Sequence, residues 1–103
     1  MVVLHFPFSD LTQTKRRPAL VLAPPNGDDI ILCQITSQTG FDEYSIALND
    51  TDFDSGGLNR ASSVRPNRLF TADSGIVIYT AGHIRDAKSR EVLNRVIAIL
   101  NQR

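Results

Sequence analysis

Up to Thr80 the chain is a series of short apolar runs broken by turn-forming residues; near its end the period becomes helical. Val2 to Phe6 reads as a strand that Pro7 ends, because proline removes a ladder donor and fixes φ. Residues 9–17 form a polar loop rich in Ser, Asp, Thr and Gln. Ala19 to Ala23 is a strand of the buried type, and Pro24-Pro25-Asn26-Gly27-Asp28 is a strong turn signal. Ile30 to Thr36 is a third strand, apolar enough at its start for burial on both faces. Its closeness to the second predicts an antiparallel hairpin. Tyr44 to Leu48 alternates as a fourth strand, and Asp50 to Gly57 reads as a loop or hairpin tip. Ser62 to Val64 and Arg68 to Thr71 read as short strands interrupted by Pro66, and Gly75 to Thr80 as one more. Such a succession of short strands and turns favours a small barrel or sandwich over a doubly wound α/β fold.

The C-terminal pattern differs. From Asp86 to Asn101, Val92, Leu93, Val96, Ile97 and Leu100 recur at helical spacing, with Arg90, Glu91, Asn94 and Arg95 between them. Asp86 is the candidate N-cap. One apolar stripe predicts packing on a β core or a partner; a polar face carrying both charge signs argues against a membrane-surface helix. The expectation is therefore a single mainly β domain over residues 1–103 with a C-terminal helix.

Composition bounds the class without naming it. At 103 residues the chain holds one core and no separate cofactor domain. A hydrophobic fraction of 42% beside 21% charged residues is globular composition. No run approaches the ~18 apolar residues of a membrane span. The start lacks a basic region and a small-residue cleavage site, so no signal peptide is expected. The single cysteine, Cys33, forms no internal disulfide and fits a reducing cytoplasm. His5 and His83 lie far apart and match no metal-ligand spacing. There is no P-loop or dinucleotide fingerprint, Gly56-Gly57 alone cradles no phosphate, and no Gly-x-Ser-x-Gly elbow occurs. No metal or cofactor is expected.

Charge changes the picture through its distribution. Eleven acids balance eleven bases, so global attraction to nucleic acid is not implied. Between Asp28 and Asp54 there are seven acids and no Lys or Arg, whereas residues 15–17 and 60–68 hold six bases and no acid. Segregation of this kind can build a local anion-binding face on a neutral protein, the alternative being solvated loops that simply differ in sign.

Within the basic segments Arg17 stands out. Its guanidinium is always charged and presents planar donors that match phosphate oxygens. Pro18 limits backbone freedom beside it, although the ordinary role of such an arginine is a surface charge flanking a strand. Lys15 and Arg16 read as charges along a phosphate track. Thr36 and Ser37 place two hydroxyls where the third strand turns polar before Gln38; their ordinary role is to close a strand with a local turn. Arg65, Asn67 and Arg68 surround Pro66, with alternation aiming Arg65 and Asn67 to one side. His83, after Gly82 near the helix start, and His5 read as structural.

Taken together, these segments resemble the MazF/PemK family of bacterial toxin endoribonucleases. The matching pieces run in family order. They are Phe6-Pro-Phe-Ser-Asp, Lys15-Arg-Arg-Pro-Ala-Leu-Val-Leu-Ala23, Ile31-Leu-Cys-Gln-Ile-Thr-Ser-Gln38, Asp54-Ser-Gly-Gly-Leu58, Ser63-Val-Arg-Pro-Asn-Arg-Leu-Phe-Thr71 and the closing helix with Glu91-Val-Leu. The resemblance implies a small SH3-like β barrel of the CcdB/MazF type, acting as a homodimer. It implies metal-independent cleavage of single-stranded RNA at a short sequence, and neutralisation by a cognate antitoxin. Such cleavage uses the ribose 2′-hydroxyl as nucleophile and leaves 2′,3′-cyclic phosphate and 5′-hydroxyl ends.

The family's arginine before the strand-opening proline falls on Arg17, and its Thr or Ser at the end of the third strand falls on Thr36, the two catalytic candidates. Lys15, Arg16, Ser37, Gln38, Arg65, Asn67 and Arg68 are the RNA-binding candidates. Two departures from the family pattern stand out. Some members carry an aspartate general base where this chain has Asn67, which leaves the proton acceptor unassigned. Members also have a few more residues, including Gly-Asp, before the first strand, whereas here Met1 stands at its start. Both departures keep open a catalytically silent, antitoxin-binding member, and the related CcdB branch keeps open a gyrase inhibitor.

Overall fold

The computed structural model describes residues 1–6, 15–24, 27–37 and 43–102, with the backbone alone for Phe6 and Lys15. Among the described residues, eight strands and one α-helix follow one another. They are β1 (Val2–Phe6), β2 (Lys15–Ala23), β3 (Asp29–Thr36), β4 (Ile46–Leu48), β5 (Phe53–Gly56), β6 (Ser62–Asp73), β7 (Val77–Thr80), β8 (Gly82–Ile84) and α1 (Asp86–Leu100). Six strands form one antiparallel sheet in the order β4-β6-β3-β2-β1-β7, and β5 and β8 pair as a separate ribbon. The architecture is mostly β with a closing helix, as expected. Among the described residues the large sheet is not closed into a barrel: β4 and β7 are its two edges.

Strand alternation divides the apolar residues between the two faces of the sheet. Leu20, Cys33, Ile35, Ile46, Leu48 and Val64 point to one face and pack with Phe53 and Ile84 of the ribbon and Val92 and Val96 of the helix. Val2, Leu4, Ala19 and Leu32 form a smaller cluster on the other face, supported by Val21, Ile30, Phe70, Ala72 and Val77. Met1 is buried against the first cluster. Its amine donates to the Gly82 carbonyl at 3.0 Å, and Ala81 N–H donates to the Met1 carbonyl at 3.0 Å.

Several boundaries differ from the sequence expectation. The three cations do not end a loop; they open β2, where Lys15, Arg16 and Arg17 pair with Phe6, His5 and Leu4 of β1. That pairing outweighs the poor strand propensity of charged residues. The predicted fourth strand shortens to Ile46–Leu48, with Tyr44 in a turn and its hydroxyl donating to Gln102 Oε1 at 3.1 Å. The expected loop at Asp50 to Gly57 contains a 3₁₀ turn, Asp50–Asp52, and then β5. The two expected strands around Pro66 are one strand of 12 residues, because a bulge absorbs the proline. Gly75 belongs to a second 3₁₀ turn, Ser74–Ile76, where Asp73 Oδ1 accepts from Gly75 N–H at 2.7 Å.

In the ribbon, Gly56 pairs with Gly82. Gly56 has φ of +65°, and a Cβ there would collide with the Ala81 carbonyl oxygen; one on Gly82 would lie 2.7 Å from the Ser55 carbonyl oxygen. Only glycines permit that approach. His83 lies on β8 rather than at the helix start, 3.0 Å from Asp54 Oδ2 through Nδ1. Arg85, not Asp86, precedes the helix in extended conformation, and its guanidinium donates to Asp54 Oδ1 at 3.0 Å and to the Thr51 carbonyl at 2.9 Å. Asp86 occupies the first turn, where its charge opposes the helix dipole favourably.

Candidate functional site

The candidate residues gather on three neighbouring strands. β3 lies between β2 and β6, and all three run antiparallel to their neighbours. Ala19 pairs with Gln34, Gln34 with Arg65, and Thr36 with Ser63. Carrying the β2–β3 register two residues further brings Arg17 level with Thr36. Directly paired residues and their alternate neighbours share a face. Arg17, Gln34, Thr36, Ser63 and Arg65 therefore line one face at one end of the sheet. The same face carries Val2, Leu4, Ala19 and Leu32 of the smaller cluster, with Leu4 directly opposite Arg17 and Ala19 opposite Gln34.

Thr36 is 7% exposed, whereas Arg17 and Arg65 are half-buried. Arg65 Nε is itself buried. Arg16 alternates to the opposite face, pairs with His5 and is exposed. Ser37 follows β3 and is exposed. The Lys15 side chain and Gln38 lie outside the described residues. The structure thus brings Arg17, Thr36 and Arg65 onto one face.

Asn67 and Arg68 occupy a different setting. Between Arg65, opposite Gln34, and Leu69, opposite Cys33, β6 carries three residues with no counterpart on β3. Pro66 is fully buried in this bulge, while Asn67 and Arg68 are exposed. At the same register break the Cys33 thiol donates to the Arg65 carbonyl at 2.9 Å. Burial pushes this thiol from 9.0 up to about 12, so it stays protonated. Sequence reasoning missed Cys33, Gln34 and Ser63 as neighbours of the candidates. A proline inside a strand was the available signal for the bulge.

Among the described residues, three of the acids are held away from this face. Asp28 and Asp29 lie at the opposite end of β3, about 23 Å from Thr36 at the usual strand rise. Asp54 is held by His83 and Arg85 on the ribbon. Among the described residues no group of three or more His, Cys, Asp or Glu side chains could hold a metal ion. Near the same end of β6, a cleft of about 420 Å³ has Leu48, Phe53 and Leu58 at its apolar base and Asn49, Asn59 and Arg60 among its polar lining. Two guanidiniums flanking a buried hydroxyl on a fixed sheet make a site for an oxyanion such as a phosphodiester.

The family model for PemK-like, MazF-like toxins of type II toxin–antitoxin systems matches residues 1–100. The chain belongs to this toxin family. Solved structures agree on the fold. The Mycobacterium tuberculosis toxin MazF-mt6 superposes with a TM-score of 0.71 at 15% identity, covering 100% of this chain and 99% of that one. The MazE–MazF structure from Deinococcus radiodurans gives 0.72 at 19% identity, over 99% of this chain and 91% of that one. An endoribonuclease in complex with its cognate antitoxin, from a mycobacterial species, gives 0.73 at 11% identity over 99% and 93%. No curated protein matches the sequence. No described helix is long and apolar enough to cross a membrane. The chain is thus a MazF/PemK toxin of a toxin–antitoxin system.

Proposed function

We propose that this toxin is a metal-independent endoribonuclease that cleaves single-stranded RNA and so arrests translation. The observation that carries the reading is the placement of Arg17, Thr36 and Arg65 together on one sheet face. In-line attack of a ribose 2′-oxygen on the adjacent phosphorus forms one P–O bond as the P–O bond to the next 5′-oxygen breaks. The 2′-hydroxyl loses a proton, the departing 5′-oxygen gains one, and a 2′,3′-cyclic phosphate remains. The phosphorane between carries extra negative charge on its nonbridging oxygens. Arg17 and Arg65, held on neighbouring sides of β3, are placed to neutralise it, and the Thr36 hydroxyl to donate to an oxygen or to hold the 2′-hydroxyl. Arginine remains protonated and does not serve as the base; the amide of Asn67 takes no proton either.

Removing a donor that acts on developing charge lowers rate by about 10²–10³. Arg17→Ala is therefore expected to reduce cleavage of single-stranded RNA in EDTA by that amount, read by mapping 5′-hydroxyl and cyclic-phosphate ends. Undiminished cleavage by the variant, or none by the wild type, would sink the reading. The partners proposed with it are a cognate antitoxin and a second copy of the chain as a homodimer. Two of the structural relatives are themselves antitoxin or MazE complexes, which supports the first. Antitoxin binding by a chain that leaves RNA intact would instead favour the silent reading that Asn67 raised.

A further inference from the structure

Arg65 is held in place by a residue on the next strand. The β3–β6 ladder breaks register between Cys33 and Gln34, and three residues of β6 loop out at that point. Such a bulge re-aims the side chains that flank it and leaves the local ladder incomplete. The residue before the bulge is Arg65, which remains paired with Gln34 on the face of Thr36. The Cys33 side chain, fully buried on the opposite face, reaches the Arg65 carbonyl with Sγ 2.9 Å from the oxygen. Pro66, also fully buried, follows directly and cannot donate an N–H of its own.

We propose that Cys33 is a positioning residue for Arg65: its thiol hydrogen bond fixes the bulge and thereby the direction in which Arg65 leaves the sheet. The inference rests on the nuclease reading for its consequence in catalysis, but its structural half stands on the bulge alone. Burial keeps the thiol protonated, so the donor is present throughout the physiological range. A serine supplies the same donor from a shorter side chain, whereas alanine and valine supply none.

The test has two arms. In amide hydrogen exchange, Cys33→Ala is expected to accelerate exchange at Arg65, Asn67, Arg68 and Leu69 by about tenfold, with the β1–β2 pairing unchanged and Cys33→Ser close to wild type. In single-turnover RNA cleavage, Cys33→Ala is expected to slow the reaction by about tenfold, Cys33→Ser to restore most of the rate, and Cys33→Ala to add nothing in an Arg65→Ala background. Cys33→Val, which keeps apolar volume without a donor, replaces the alanine variant should that one fail to fold. Unchanged exchange at the bulge overturns the proposal. So does a loss of rate that persists in full without the Arg65 side chain, since a merely structural role would act there too. A wild type that cleaves no RNA defeats the nuclease reading, and the exchange arm then decides the positioning claim alone.

Discussion

At the scale of the residue, the chemistry of one thiol separates two roles a lone cysteine can play. Reactive cysteines are exposed and their pKa is depressed; Cys33 is fully buried and its thiol is pushed up to about 12. In the unfolded chain it returns to about 9.0. Below that value both states keep the proton and the stabilisation is fully present. As pH rises from 9.0 towards about 12 the unfolded state loses the proton first, so stability falls. The slope from this group rises from about 0.7 kcal/mol per pH unit at pH 9 to about 1.4 above pH 10. Urea unfolding between pH 9 and about 10.5 is expected to show wild type losing stability that much more steeply than Cys33→Ser, whose hydroxyl does not titrate. Iodoacetamide at neutral pH is expected to label Cys33 only in denaturant. Parallel pH profiles for the two proteins, or rapid native labelling, would contradict the burial.

At the scale of the element, helix α1 shows what periodicity reveals and what it hides. The stripe Val92, Leu93, Val96, Ile97 and Leu100 located the helix within one residue of its observed end, yet only Val92 and Val96 are buried. Leu93, Ile97 and Leu100 are 45%, 47% and 68% exposed. Val92→Ala is thus expected to destabilise by about 2 kcal/mol, whereas Leu100→Ala should stay within about 0.5 kcal/mol; denaturant midpoints measure both. β1 was readable at its observed limits, and β3 to within one residue, because their apolar runs are ended by proline or polar residues. β5 and β8 were not. Asp54 and Ser55, both exposed, read as loop and exposed His83 as the approach to the helix, and each short strand buries one large apolar side chain, Phe53 or Ile84. The candidate site was legible in residue type, since Arg17, Thr36 and Arg65 are singled out by the sequence. Their sharing of a face depends on strand order and on the register break at Cys33, which no local pattern encodes.

At the scale of the whole molecule, a net charge of zero makes any attraction to RNA a property of one face. Among the described residues, Asp28 and Asp29 lie at the far end of β3 and Asp54 on the ribbon, away from that face. Long-range steering is therefore weak, and affinity should come from the few phosphates that the arginines touch. For single strands, log K falls against log salt with a slope of about −0.7 per phosphate neutralised. Arg17 and Arg65 on the scissile phosphate and Arg68 on a neighbouring one neutralise two phosphates and give a slope of about −1.4, far shallower than that of a strongly basic binder. Titrating an uncleavable RNA that carries 2′-O-methyl groups, over a range of salt, measures the slope directly. Arg17→Ala should flatten it by up to about 0.7, and Arg16→Ala, on the opposite face, should leave it unchanged. Equal flattening by Arg16→Ala would mean that RNA wraps the edge of the sheet rather than lying on the face of Thr36, and the site of Arg17, Thr36 and Arg65 would have to be redrawn.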